Sequence, residues 1–314
     1  MLACYNLDEV RRDYVKKIRR KLLMLSVWFI RGLSGRVHRV QAVTTESVIE
    51  AMQERIPTLD WSAMALEGKL DIAMSTATQS ADLAQIKGDF RYDFTEALQM
   101  EGHLNILSPF ASNLPAFSLY YLDGVSYSTD GQEWYVQNNQ KTEAEIRKEL
   151  QKTADQFDAD LHSITTEQIQ FIDTYMNLDE TTEYYAFHLK TDIDPQAMWD
   201  DLQELVDIES LQENVDQLDS YGELDGIEDY EDLADYEAFA TFITSNPVLE
   251  LRFEKENYRP TYFLLDVSVD PEAYGAESSD FGTVNVRLEL NFSDFGQTFD
   301  VIVPSEALES TVDY

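Results

Sequence analysis

Residues able to do acid-base or metal chemistry are abundant in this chain, but their spacing does not organise them. The four histidines are His38, His103, His162 and His188, and no two have the H-x-H or H-x-x-x-H spacing that sets two imidazoles on one metal. Carboxylates number 60, so pairs suited to general acid and base work arise from composition alone and none stands out. Asp219 to Glu231 comes nearest to a calcium loop. It lacks the regular D-x-D-x-D-G core and the glutamate at position twelve, which leaves loose cation binding as the most it could offer. No G-x-S-x-G, Walker A or G-x-G-x-x-G element occurs. The single cysteine, Cys4, precedes every candidate domain, so thiolate catalysis, thiolate metal sites and disulfides are not expected in the body of the chain. The expectation is a protein that is not an enzyme, with no catalytic residue, no metal site and no cofactor.

The apolar residues are far better ordered. Between Ala65 and Leu107 three segments alternate apolar and polar positions. Leu66, Leu70, Ile72 and Met74 oppose Glu67, Lys69 and Asp71; Ile86, Gly88, Phe90, Tyr92 and Phe94 oppose Lys87, Asp89, Arg91 and Asp93; Leu98, Met100, Leu104 and Ile106 oppose Glu101, His103 and Asn105. A strand sends successive side chains to opposite faces, so this pattern predicts long antiparallel strands with one apolar and one hydrated face. Something must cover the apolar face. It is either protein alone, an ordinary core, or in part a bound apolar ligand, for which the candidate lining residues are Leu70, Ile72, Met74, Phe90, Tyr92, Met100 and Leu104.

Charge narrows the partners. Against the 60 acids stand 23 lysines and arginines, a formal net charge of −37, yet residues 1–42 hold ten basic and three acidic residues. The remainder carries 13 basic and 57 acidic residues, a net −44. Such a body repels phosphate backbones and anionic headgroups, so no nucleic acid is expected, and membrane contact only through the N-terminal segment if it is uncleaved. Residues 1–42 read as an export signal. Lys16 to Lys21 are rich in basic residues, Leu22 to Ile30 form a short apolar run, and Val40-Gln41-Ala42 offers small residues for cleavage. Val15 is an alternative initiator, which would make the residues before it a start-site extension. An exported, extracytoplasmic monomer, secreted or associated with the cell surface, is the expectation.

Downstream of Ala42, Thr45 or Ser47 can cap a helix carrying Val48, Met52 and Ile56 that stops near Pro57. After the three long strands, Phe117–Leu122, Val125–Ser128 and Glu133–Gln137 form a meander with turns at Asp123-Gly124 and Asp130-Gly131. Helical spacing begins at Thr142 with Ile146, Leu150, Ala154, Phe157 and Leu161, and again near Thr165 with Ile169, Ile172 and Met176. A strand spans Glu183–Lys190, and a helix follows Pro195 through Met198, Leu202 and Leu205. The stretch 200–237 packs 16 carboxylates into 38 residues. Leu211, Val215, Leu218, Leu224 and Ile227 still recur at helical steps, giving amphipathic helices broken at Gly222 and Gly226 with a solvated acidic face. The last third is strand: Leu249 to Phe253, Phe263 to Val269, Val284 to Phe292, and Phe299, Val301 and Val303.

The hairpins Tyr121-Leu122-Asp123-Gly124-Val125-Ser126-Tyr127 and Asp130-Gly131-Gln132-Glu133-Trp134-Tyr135 carry a resemblance, as do the element order and the closing Val301-Ile302-Val303-Pro304-Ser305-Glu306. The chain over about residues 44–308 resembles a family of uncharacterised extracytoplasmic lipoproteins of Gram-positive bacteria, itself similar to lipoprotein-carrier and mycobacterial glycolipid-carrier folds. The resemblance implies a strongly curved antiparallel half-barrel around helices. Such lipoproteins carry a Leu-Ser-Gly-Cys lipobox, whereas Leu33-Ser34-Gly35 here runs into Arg36, leaving no thiol to acylate at that point.

The expected fold class is therefore α+β: a strongly curved antiparallel sheet, a half-barrel of about ten strands, wrapping several helices. Residues 1–42 form the export segment and 43–314 one domain, with the acidic helical stretch 194–245 packed on or beside the open side. Two functions compete. One is noncovalent binding or carriage of a lipid or other apolar molecule at the cell surface; the other is a non-catalytic interaction or sensing module with a packed core and an acidic binding face.

Overall fold

The structure, a computed structural model, describes residues 43–75, 80–110, 116–138, 164–205, 236–270 and 282–310, together with helical positions 144, 145, 148 and 152. The export segment, the apolar positions predicted to line a helix over 142–161 and the acidic residues 206–235 lie outside the described residues. All eleven strands join one open antiparallel sheet. They are β1 (Ala63–Ser75), β2 (Ser80–Asp93), β3 (Gln99–Leu107), β4 (Ala116–Leu122), β5 (Val125–Thr129), β6 (Trp134–Asn138), β7 (Met176–Glu180), β8 (Tyr184–Leu189), β9 (Val248–Glu254), β10 (Pro260–Val269) and β11 (Thr283–Ser293). Their spatial order is β6-β5-β4-β3-β2-β1-β11-β10-β9-β8-β7. The central seam pairs β1 with β11, Leu70 opposite Leu288, so the two ends of the domain meet in the middle of the sheet.

Local chemistry explains the turns. Asp123 and Gly124 both take positive φ, 52° and 79°, the two-residue turn whose twist matches its flanking strands. At the next hairpin the Asp130 carboxylate accepts from the backbone N–H of Gln132 and Glu133 at 3.0 and 3.2 Å.

Five α-helices have both ends among the described residues: α1 (Thr45–Arg55), α2 (Thr166–Tyr175), α3 (Pro195–Leu205), α4 (Tyr236–Thr244) and the short α5 (Ser305–Leu308). Thr44 caps α1 rather than Thr45 or Ser47; its hydroxyl accepts from the Ser47 N–H while the Ser47 hydroxyl oxygen accepts from the Thr44 N–H. Thr165 and Gln168 make the same reciprocal box on α2, satisfying amide donors that a helix start leaves free.

Two expected elements differ. Met176 does not continue α2: its backbone turns extended, φ −119° and ψ 147°, and it opens β7, pairing with Leu189. The apolar side chain serves the same cluster either way, so its spacing did not reveal the switch. Phe299, Val301 and Val303 form no strand. This segment is irregular chain packed on β4, β5 and β6, with Val301 and Val303 in a cluster with Tyr120, Leu122, Tyr127 and Trp134, and Ile302 is 80% exposed. An extended chain lying on a surface alternates like a strand without pairing.

Register defines the two faces. One row crosses six strands as Phe263, Leu290, Gly68, Gly88, Leu104 and Phe117, and a parallel row runs Leu249, Leu265, Leu288, Leu70, Ile86 and Ile106. The opposite face carries charge, including Lys69–Asp71 at 2.5 Å, Arg91–Glu101 at 2.6 Å and Arg287–Asp266 at 2.7 Å. Arg252 pairs with Glu250 and lies 4.3 Å from the Tyr262 ring centre.

Helical cover over the apolar face is uneven. Val48, Ile49, Met52 and Ile56 from the α1 region and Ile169 and Ile172 from α2 are buried with Tyr185, Phe187 and Phe253 of β8 and β9. Burying each such aliphatic chain contributes about 1.5–3 kcal/mol. Phe242 of α4 packs against the buried clusters of β9, β10 and β11. Over β2, β3 and β4 the same face is wetter, with Leu104, Phe117 and Leu119 at 38%, 39% and 36% exposure.

Candidate apolar ligand site

Above that less covered part of the sheet lies a cavity of about 610 Å³, within the range that small-molecule sites occupy. Leu66, Gly68 and Leu70 of β1, Ile86, Gly88 and Phe90 of β2, Gly102 and Leu104 of β3, Phe117 and Leu119 of β4, Ser128 of β5 and Leu288 of β11 line it. The pleat brings these residues together: each is two positions from the next on its strand, and cross-strand partners share the face. Lys69, Asp89, His103, Ser118 and Thr129 also border the space, but by register their side chains belong to the charged face.

Of the seven residues predicted from sequence, Leu70, Phe90 and Leu104 line the cavity. The other four stand elsewhere on the same face. Ile72 packs against Val267, Val284 and Val286, and Met74 lies opposite Val284 near the end of β1. Tyr92 donates its hydroxyl to the Trp61 carbonyl at 3.2 Å and stacks on Phe94 with ring centres 5.6 Å apart; burial pushes its phenol pKa up. Met100 sits between Tyr92 and the buried Tyr121.

Leu66, Ile86, Phe117, Leu119 and Leu288 were not among the predicted lining residues, nor were Gly68, Gly88 and Gly102. The glycines leave a legible signal: each occupies an apolar phase of its strand. What the sequence does not display is that they fall on three adjacent strands, with Gly68 directly opposite Gly88.

No histidine side chain of the described residues faces the cavity. His103 lies on the charged face, its ring nitrogens 3.0 Å from the Ser118 hydroxyl and 3.1 Å from the Glu101 carboxylate. Among the described residues no three His, Cys, Asp or Glu side chains gather as a metal site requires, and no helix is long and apolar enough to cross a membrane. Leucine, isoleucine and phenylalanine walls can hold a molecule through exclusion of water and dispersion. Compared with known proteins, the chain matches no family model and no curated sequence.

Proposed function

We propose that this chain binds or carries a lipid or another apolar molecule noncovalently in the cavity over β1 to β4, as an exported protein at the cell surface. The observation that carries the reading is the 610 Å³ apolar cavity set on the part of the sheet where leucine and phenylalanine side chains remain over a third exposed. Apolar surface left wet costs about 25 cal/mol for each Å², so an apolar molecule entering there gains what the folded chain alone forgoes. In this reading the open sheet bends as a half-barrel around its helices, and the export-like residues 1–42 deliver the domain outside the cell. Leucine, isoleucine, phenylalanine and glycine make up most of the lining, with Ser128 at its edge, which supports binding through exclusion of water.

The excess of 57 acidic over 13 basic residues beyond position 42 favours a second reading, an interaction or sensing module that engages a basic partner through its surface. Solvent extraction of the natively purified full chain, followed by mass spectrometry, separates the two. A carrier yields an apolar molecule in near-stoichiometric amount. A packed module yields none.

A further inference from the structure

We propose that the corner of the sheet where β1 leads into β2 and β3 into β4 docks on a zwitterionic lipid bilayer, and that the cavity exchanges its cargo there. This rests on the carrier reading and adds the surface through which loading takes place. In a chain that is 26% charged, Leu104 to Leu122 contain no Asp, Glu, Lys or Arg, and Ile72 to Ile86 contain only Asp82. The two stretches meet in space. β1 and β2 pair as far as Ser75 and Ser80, β2 and β3 as far as Gln85 and Leu107, and β3 and β4 as far as Asn105 and Ala116, so both connections leave from one end of the sheet. The Ser108 hydroxyl ties them together by donating to the Leu83 carbonyl at 2.9 Å. Charge returns beyond this corner, at Lys69, Asp71, Lys87 and Asp89 further along β1 and β2, and at Arg287 and Asp266 across β11 and β10.

The corner is apolar where it meets water. Phe110 and Leu107 are 70% and 58% exposed, and the Phe110 backbone is held in place, its N–H donating to the Ser108 hydroxyl oxygen at 3.3 Å. Large apolar side chains gathered at one exposed place mark a surface that meets protein or membrane. The charge pattern decides between them. Hydrocarbon accepts no unpaired charge, so a surface that enters the headgroup boundary must do without it, whereas a protein partner of so acidic a body would be steered and recognised through charge. A second copy is disfavoured as the occupant, because it would bring together two chains of net charge −37. Leu104 and Phe117 belong both to the uncharged stretch and to the cavity lining. Apolar surface therefore runs from the corner into the cavity, a path for cargo that avoids water.

Cosedimentation of the full chain with sucrose-loaded phosphatidylcholine vesicles tests the corner. The wild type should bind reversibly, and the double variant Leu107→Ser, Phe110→Ser should lose at least about tenfold in affinity, since both side chains withdraw exposed apolar surface from water on docking. Ile302→Ser removes an even more exposed side chain, on the segment whose Val301 N–H donates to Gln99 at the other end of β3, and should bind as the wild type does. Replacing part of the phosphatidylcholine by phosphatidylglycerol should weaken binding, and added salt should restore it, because the body is acidic. A wild type that stays in the supernatant, a double variant that binds as the wild type does, or binding strengthened by phosphatidylglycerol overturns the docking corner; either of the last two assigns the contact to another segment, such as the basic residues 1–42. If the double variant does not melt cooperatively, Phe110→Ser alone takes its place. Titration of the same wild-type preparation with an apolar dye keeps the two readings apart. Dye bound by a chain that ignores vesicles overturns the corner and leaves the carrier reading standing, whereas a chain that binds neither overturns both.

Discussion

The ring of Phe90 occupies the space that a side chain at Gly102 would need. The two are register partners on β2 and β3, and a Cβ at position 102 would stand 3.1 Å from Phe90 Cδ2. Valine ordinarily suits a strand better than glycine does, so this site reverses the usual preference. Gly102→Val should lower unfolding stability by about 1–3 kcal/mol, the cost of overpacking, read as a lower urea midpoint with an unchanged slope. A midpoint that rises would show that the ring does not fill this space.

Ile49 gives the reference for how firmly the helical cover holds. It is fully buried in the cluster joining α1, α2 and β8, whereas Ile302 is 80% exposed. Ile49→Ala should cost about 2–5 kcal/mol, and Ile302→Ala should stay within about 0.5 kcal/mol of the wild type. Equal costs for the two, measured by chemical denaturation, would contradict the burial described for α1.

Glu101 gives stability a defined response to acid. Burial alone would raise its carboxyl pKa, but hydrogen bonds from Arg91 and His103 outweigh burial and hold it below the ordinary value of 4.5. Between the folded and unfolded values the unfolded chain binds the extra proton, so the stabilisation is complete above the ordinary value and is lost as pH falls through the folded one. Arg91 is 42% exposed, which limits the contribution to at most about 1 kcal/mol. The wild type should therefore lead Glu101→Gln at neutral pH, and that lead should vanish at low pH. A lead that persisted or widened in acid would contradict the Arg91–Glu101–His103 arrangement.

Much of the sheet was legible because its strands are long and wet on one side. The alternation around Leu66 to Leu70 and Ile86 to Phe90 identified β1 and β2, and Asp123-Gly124 marked the β4–β5 turn through its own backbone preference. Met176 hid β7 because a residue closing a helix and one opening a strand can feed the same cluster. Phe299 to Val303 read as a strand because extended chain alternates whether or not it pairs. The cavity was half legible: choosing the apolar phase found Leu70, Phe90 and Leu104, yet could not separate them from Ile72, which packs against Val267, Val284 and Val286 outside the cavity lining. That distinction depends on where helices and neighbouring strands lie, which is a tertiary property. The floor was missed because glycine has no side chain to score as apolar, and its effect appears only when Gly68, Gly88 and Gly102 are set side by side.

The most direct test of the central claim is a fluorescence titration of the lipid-stripped full chain with an apolar dye, run alongside Leu70→Asp, which places a charge on the cavity wall. A saturable signal at one dye per folded wild-type chain, weakened at least about tenfold in a Leu70→Asp variant that still melts cooperatively, is the predicted result; tenfold corresponds to about 1.4 kcal/mol. Dye binding that appears only as the protein unfolds, or binding that Leu70→Asp leaves unchanged, would contradict it.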